Sequence, residues 1–426
     1  MNLDILVTIQ KKNLHCKDGL NMDLQSGKFY WQTTLPNPPI YPKLEEDIEC
    51  DVLIIGAGNS GAQCAYYLAE SGLDIVMVDK RKPGQGSTIT NTALIQYLGE
   101  KMLFELSNQF GEENAVRHFK LCEEAINEIE QATMNLPIES EFIRRDSLYY
   151  ASYEEDVPKL EKEFKLLKKH GFQVEYWSEE KIGQYFPFQK RAAIYFHNDA
   201  ELNPYKFTLG LLEYAKAKGT KIFEETEITG KNIENDHTIF YTKDHHSIKA
   251  KYVIIAAGYE VLEFQNEKNA FYVSSYTTIT SPVDDFSTWH NRALIWETAR
   301  PYVYMRTTAD NRIIIGGLDD NTTYPEDRDS KIMSKKDFLI KELNKLFPDI
   351  QVEPEYYLGA FYGSTHDGLP IIGMHKDQPN CYYLYGYGDN GTVYSMVLAK
   401  IIRDLITKKN NPNLDLYVQT RPILSS

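Results

Sequence analysis

The stretch Asp51–Asp79, DVLIIGAGNSGAQCAYYLAESGLDIVMVD, decides the fold. Val52 to Ile55 form the continuous apolar run of a strand buried on both faces. Gly56, Gly58 and Gly61 follow with G-x-G-x-x-G spacing where strand hands over to helix. The first glycine permits a tight turn, and the second lets a pyrophosphate approach the backbone. The third lets helix and strand pack closely. Free N–H groups and a partial positive charge at the helix start point at the phosphates. Gly72 caps the helix, Ile75 to Val78 form the next strand, and Asp79 ends it where a carboxylate holds an adenosine ribose. A glycine triplet alone is a weak signal. With strand, helix, second strand and acid in place, it predicts a bound dinucleotide.

Outward from this unit, 426 residues exceed one average domain, so two intertwined lobes are expected. A composition of 42% hydrophobic and 25% charged residues is that of a soluble globular protein. No apolar run approaches the ~20 residues of a membrane helix. The start lacks the h-region and small-residue cleavage site of a signal peptide. A formal charge of −15 argues against nucleic acid or anionic membranes as partners, although it also serves solubility alone. The five cysteines (Cys16, Cys50, Cys64, Cys122, Cys381) are scattered and contain no C-x-x-C pair. That suits a reducing cytoplasm and disfavours a dithiol reductase or a structural metal site; no metal ligand set is expected. Cys64 and Cys122 read as core residues.

Along the chain, the first 21 residues look detached, and Met22 opens a better-patterned segment where translation would naturally begin. A proline-rich run from Pro36 to Pro42 leads as an extended arm to the first strand. After Asp79, KRKPGQGSTITNT offers turns and hydroxyl donors suited to a phosphate or a ring cofactor, and equally to a polar loop. Ala115, Phe119, Cys122, Ile126 and Ile129 line one helix face; Val157, Leu160, Phe164 and Leu167 line another. Asn203-Pro204 starts a helix running to Gly219. Tyr252 to Gly258 is a second apolar strand ending in small residues. Phe271 to Gly317 predicts an antiparallel sheet with a turn at Ala309–Asn311. A helix over Ser334–Phe347 stops at Pro348, and the turn Gly386–Gly391 opens a long helix.

The order of these segments resembles the D-amino-acid oxidase (DAO) family of FAD-dependent oxidoreductases, which includes glycine and sarcosine oxidases. GAGNSG with Asp79, GSTITNTALIQY, NPYKFTLGLLEYAKAKGTKIFEETEITG, YVIIAAG, HDGLPIIG and GYGDNG carry the resemblance, which runs from about Met22 onward. Within the family the chain looks most like an uncharacterised bacterial branch. The resemblance implies an α/β fold: a Rossmann-like FAD/NAD(P)-binding domain of the glutathione-reductase type, interleaved with an antiparallel-sheet (α+β) substrate domain. The implied segments are an arm over 1–46, FAD-binding parts over 47–103, 196–264 and 356–426, and substrate-domain parts over 104–195 and 265–355.

Carried over residue by residue, Gly56, Gly58 and Gly61 would meet the pyrophosphate, with Asp79 and Lys80 at the adenosine ribose end. Ser87, Thr88, Asn91, Thr92 and Ala93 would follow the phosphates and the flavin face. Ile228 would reach the adenine, and Ala257 and Gly258 would border the nucleotide. Gly388, Asp389, Asn390, Gly391 and Thr392 would meet the flavin pyrimidine, where a helix starting at Thr392 opposes the negative charge of reduction. The implied reaction oxidises an amine C–H bond by hydride transfer to FAD, with imine hydrolysis and dioxygen reduced to peroxide. It needs no protein nucleophile. His366, in the HDGLPIIG motif, is placed by the resemblance where it could approach the flavin.

The chain departs from the family at two cations. The arginine that pairs a substrate carboxylate is replaced by Tyr362, and the sarcosine-type lysine by Val393. A buried carboxylate without a cation is costly, so a substrate with a carboxylate is put in doubt. Arg306 stands as a substitute or as a surface residue near a hairpin end. Tyr302 aligns with a substrate-contacting tyrosine, Tyr304 shares its face by alternation, and Tyr276 is a third lining candidate. Among 30 tyrosines, sheet packing explains each as well as substrate contact does. No cysteine occurs between Gly316 and Asn380, where sarcosine oxidases link their flavin, so FAD is expected to be non-covalent. The partners implied are a small amine or amino acid and dioxygen or another acceptor. Two alternatives stand beside the oxidase: a dehydrogenase feeding a quinone or protein acceptor, and a non-catalytic FAD-binding regulatory protein.

Overall fold

The computed structural model describes residues 23–234, 236–264 and 267–424; the expectation of a start at Met22 lies outside them. Two sheets organise these residues. The first runs Ile371–His375, Gln378–Tyr385, Ser247–Ile255, Ile48–Ile55, Ile75–Val78, Lys221–Phe223. From Gln378–Tyr385 onward its neighbours are parallel. Parallel strands are covered on both faces, hence the apolar runs: Val52, Leu53 and Ile54 are fully buried, as are Val76 to Val78. Helices Asn59–Leu68, Pro204–Ala217 and Gly391–Lys408 pack together on this sheet. Asn203 caps the second of these by accepting from Lys206 N, with proline in the first turn.

The second sheet has ten strands. Its path runs Gln25–Lys28, Pro354–Thr365, Ala270–Thr280, Ile313–Asp320, Val303–Thr307, Leu294–Glu297, Ile143–Tyr150, Ala192–Glu201, Leu94–Ile95, and the tenth strand, Val174–Ser178, pairs with Ala192–Glu201 off this path. It is antiparallel apart from the pairing of Leu294–Glu297 with Ile143–Tyr150. One face packs under the helix Pro325–Leu346, and the other turns to the first sheet.

Two elements differ from the sequence reading. Gln25–Lys28 is an edge strand paired with Lys28↔Tyr357 to Gln25↔Ala360, so this part of the arm is built into the second sheet. The helix expected to begin at Ser334 begins at Pro325. Its polar first turn hides it from periodicity, yet Pro at the start and Glu326 and Asp327 beside the positive end suit a helix N-terminus.

Register settles which side chains face the first sheet. Tyr362 pairs with Val273, so Val273, Ser275 and Thr277 share its face and Tyr276 points to the other.

Candidate active site

A cleft of about 580 Å³ opens between the two sheets. At one end lie Gly56, Gly58, Asp79, Lys80, Ser87 and Thr88. Gly56 has φ +108, and a Cβ there would sit 2.3 Å from Ala256 O. A Cβ on Gly61 would sit 1.9 Å from Gly56 O, so Gly61 sets the contact of helix on turn and does not itself line the cleft. The Asn59–Leu68 helix has neither a side-chain cap nor an acid in its first turn. Thr88 Oγ1 accepts from Asn59 N at 3.0 Å, fastening the loop to the helix start. Asp79 accepts from Ala57 N at 2.7 Å and Arg81 N at 2.8 Å. Burial raises its pKa, opposed by those two N–H groups. Lys80 and Arg81 both reach buried Glu260, at 2.9 and 2.5 Å. Ile228, Ala257 and Gly258 also line the cleft.

Farther along are Asn91, Thr92 and the turn Gly388, Asp389, Asn390 and Gly391. Asn390 Nδ2 donates to Gln96 O at 2.7 Å and Leu98 O at 3.0 Å, and leaves the Gly391–Lys408 helix without a side-chain cap. Thr392 is buried behind this turn, where its hydroxyl accepts from Asn91 Nδ2 at 2.9 Å. Ala93 is likewise buried outside the lining, at φ +52. These residues fit a dinucleotide with a ring system. Two uncapped helix starts and a glycine-bearing turn bring backbone N–H groups to one enclosed space.

Tyr302, Tyr304 and Tyr362 come from the second sheet into the same cleft. Tyr302 and Tyr362 donate to Asp389 Oδ1 at 2.8 and 2.6 Å. Burial and then the Asp389 charge hold both hydroxyls well above the usual tyrosine range, so they remain donors. The rings of Tyr302 and Tyr304 lie 5.5 Å apart, and burial lifts Tyr304 to about 12.

Three sequence candidates are placed elsewhere. Tyr276 is a correction: its hydroxyl donates to Asp320 at 3.1 Å and its ring lies under Lys335, on the helix-covered face. Arg306 neither substitutes for the missing cation nor lies at the surface. It is 2% exposed and donates to Thr92 O, Thr307 O and Leu202 O at 2.6–2.9 Å, clamping three segments behind the cleft. His366 is exposed, stacked on Phe271 at 4.6 Å, and outside the lining.

The sequence reading also missed carboxylates. Asp319 lines the cleft, and burial, then the Asp389 charge, lift it to about 6 against a Ser275 hydrogen bond. Ser364 Oγ lies 2.6 Å from both carboxyl oxygens of Glu100, and burial followed by Asp389 pushes Glu100 up to about 8. The acidic pair in IIIGGLDD was the available signal for Asp319, and it reads as a turn when taken alone.

The sequence model described as FAD dependent oxidoreductase (DAO) matches residues 51–405. The chain is 27% identical over 92% of its length to a putative Rieske 2Fe-2S iron-sulfur protein of Bacillus subtilis, covering 75% of that protein. It is 21% identical to gamma-glutamylputrescine oxidoreductase of Escherichia coli, over 86% of this chain and 85% of that one. Among solved structures, glycine oxidase from Geobacillus kaustophilus superposes with a TM-score of 0.73 at 19% identity, covering 85% of this chain and 96% of its own. The glycine turn, the parallel sheet and the match over most of the chain make this protein a member of the DAO family of FAD-dependent oxidoreductases.

Proposed function

We propose that this enzyme oxidises the C–N bond of a small amine. The observation that carries the reading is the meeting of Tyr302, Tyr304 and Tyr362 with the Gly388–Gly391 turn across one enclosed cleft. The chemistry FAD supplies when bound is hydride acceptance from the amine C–H, with electrons passed to dioxygen as peroxide and the imine lost to hydrolysis. In this reading Gly56, Gly58 and the first helix start hold the pyrophosphate, Asp79 the ribose and Ile228 the adenine. The amides of Gly388 to Gly391 receive the flavin pyrimidine. Tyr302 and Tyr362, locked on Asp389, fix that wall, and the aromatic surfaces exclude water from the reacting carbon.

An amino-acid substrate is less well served, because Tyr362 occupies the expected arginine position and Arg306 is spent on carbonyls. The free, buried state of Cys50, Cys64, Cys122 and Cys381 supports a reducing, cytoplasmic setting, and no helix among the described residues is long and apolar enough to cross a membrane.

A second reading passes the electrons to a one-electron protein carrier; the relative described as a Rieske iron-sulfur protein favours it. Anaerobic mixing with primary amines, N-methyl amino acids, D-amino acids and polyamine derivatives tests the main reading through loss of the flavin absorbance. Flavin bleached by none of them would overturn it. One peroxide per turnover in air supports the oxidase, and its absence supports the carrier.

A further inference from the structure

The strand Ile313–Asp320 ends in Gly316-Gly317-Leu318-Asp319-Asp320. Gly316 pairs with Thr277, on the cleft face, and regular alternation would send Leu318 there too. Instead Leu318 has φ +57, the pairing with Ala270–Thr280 shifts register between Ser274 and Tyr276, and Leu318 packs in the core under the Pro325–Leu346 helix. A positive φ is strained for a bulky residue, and a bulge re-aims the side chains beyond it. Asp320 consequently goes to the helix side, 3.2 Å from both Lys331 and Lys335, and Asp319 enters the cleft.

There, Asp319 Oδ1 is buried with no hydrogen-bond partner among the described residues. A buried carboxylate oxygen without a donor is costly and marks a place where a ligand supplies one. Its surroundings favour a cation. Tyr302 and Tyr304 offer aromatic faces, and the Asp389 charge acts on Asp319. The cations among the described lining residues are Lys80 and Arg81, and both are paired with Glu260. Arg300, outside the lining, lies 4.9 Å from the Tyr302 ring with Nη1 on the carbonyls of Glu297, Thr298 and Ala299; it and Lys335 lower the Asp319 pKa without cancelling the rise from burial and Asp389.

We propose that Asp319 Oδ1 receives the ammonium nitrogen of the substrate and takes one proton from it, leaving the neutral amine as the form that is oxidised, and that the substrates are cationic amines with no carboxylate on the reacting carbon. This rests on the amine-oxidising reading and names its substrate class. Asp319 then sets specificity through an ion pair that a zwitterionic amino acid cannot use, because its carboxylate would enter an acidic wall without a partner.

The test titrates the FAD-loaded enzyme, anaerobically, with n-butylamine, 1,4-diaminobutane and norvaline, which is butylamine carrying a carboxylate on the reacting carbon. Binding is read by calorimetry. Both amines are expected to bind saturably and more tightly than norvaline. Asp319→Asn is expected to weaken amine binding about 10- to 100-fold, the effect of losing a charged hydrogen bond, with FAD content unchanged. Asp319→Glu, which keeps the charge, should preserve the preference for amine over norvaline. Absence of saturable amine binding, unchanged binding in Asp319→Asn, or tighter binding of norvaline overturns the proposal. If Asp319→Asn does not fold, the Asp319→Glu preference decides. Amines that bind without bleaching the flavin would remove the oxidation reading and leave the cation site standing. Bleaching by norvaline alone would do the reverse.

Discussion

Tyr302 and Tyr362 donate to the same oxygen, Oδ1 of Asp389, from two different strand regions of the second sheet. Asp389 belongs to the turn between the first sheet's strand Gln378–Tyr385 and the helix Gly391–Lys408, so one carboxylate oxygen fastens the two sheets at the cleft. With one phenol removed, the other still satisfies that oxygen. Tyr302→Phe and Tyr362→Phe should therefore each cost only about 0.5–1.5 kcal/mol of unfolding free energy, and the double variant more than the sum by at least ~0.5 kcal/mol. Denaturant unfolding of the four proteins measures this. Additivity within experimental error would show that the shared oxygen does not couple them.

Glu100 sits at about 8, raised by burial and then by Asp389. The folded protein thus holds a proton that the unfolded chain releases near the ordinary carboxylate value. Because the native state binds more protons between those two values, this group makes stability fall as pH rises from about 4.5 to 8, and adds no further change above. Glu100→Gln copies the neutral form. Its thermal midpoint relative to wild type should rise steadily between pH 5 and about 8 and then level off. A difference independent of pH would show that Glu100 is ionised throughout.

The glycine turn yields a graded prediction. A methyl group on Gly61 would drive into Gly56 O, whereas on Gly58 it would meet Thr88 Oγ1 at 3.3 Å. Backbone cannot yield as a hydroxyl rotor can. Gly61→Ala should lose soluble yield and bound FAD together, while Gly58→Ala should fold and bind FAD more weakly. Equal FAD occupancy in the two purified variants would refute this ordering.

The expected attachment of FAD is non-covalent, and the described cysteines are buried outside the cleft lining. Acid precipitation should leave the yellow colour in the supernatant. Colour retained in the washed pellet would mean a covalent link.

Legibility in the sequence followed the range of the interactions. The Asp51–Asp79 unit is local: strand, turn, helix and strand each announce themselves within a few residues, and the structure places them as read except at the helix end, which falls at Leu68 with Ala69, not Gly72, as its C-cap. Tyr302 and Tyr304 were also readable as sharing a face, since alternation along one strand is local. Tyr276 was not readable. Its direction is fixed by register against Pro354–Thr365, a strand roughly eighty residues on. Asp319 escaped for a related reason, because its direction depends on the bulge at Leu318. Arg306 looked like a free cation because two of the three carbonyls it binds, Thr92 O and Leu202 O, come from segments far away in sequence.

The ties of the Gly391–Lys408 helix have a consequence for the order of assembly. Asn390 holds Gln96 O and Leu98 O, Asn91 holds Thr392, Gln63 holds Thr392 O, and Ser60 meets Ser395 at 2.8 Å. The glycine turn leaves the ribosome early, yet the wall that completes its cleft is made some three hundred residues later. FAD capture should accordingly be a late, post-translational event. Nascent chains stalled before residue 391 should bind no FAD, and chains released beyond residue 408 should bind it at once; FAD held by the shorter chains would show that the early turn suffices alone.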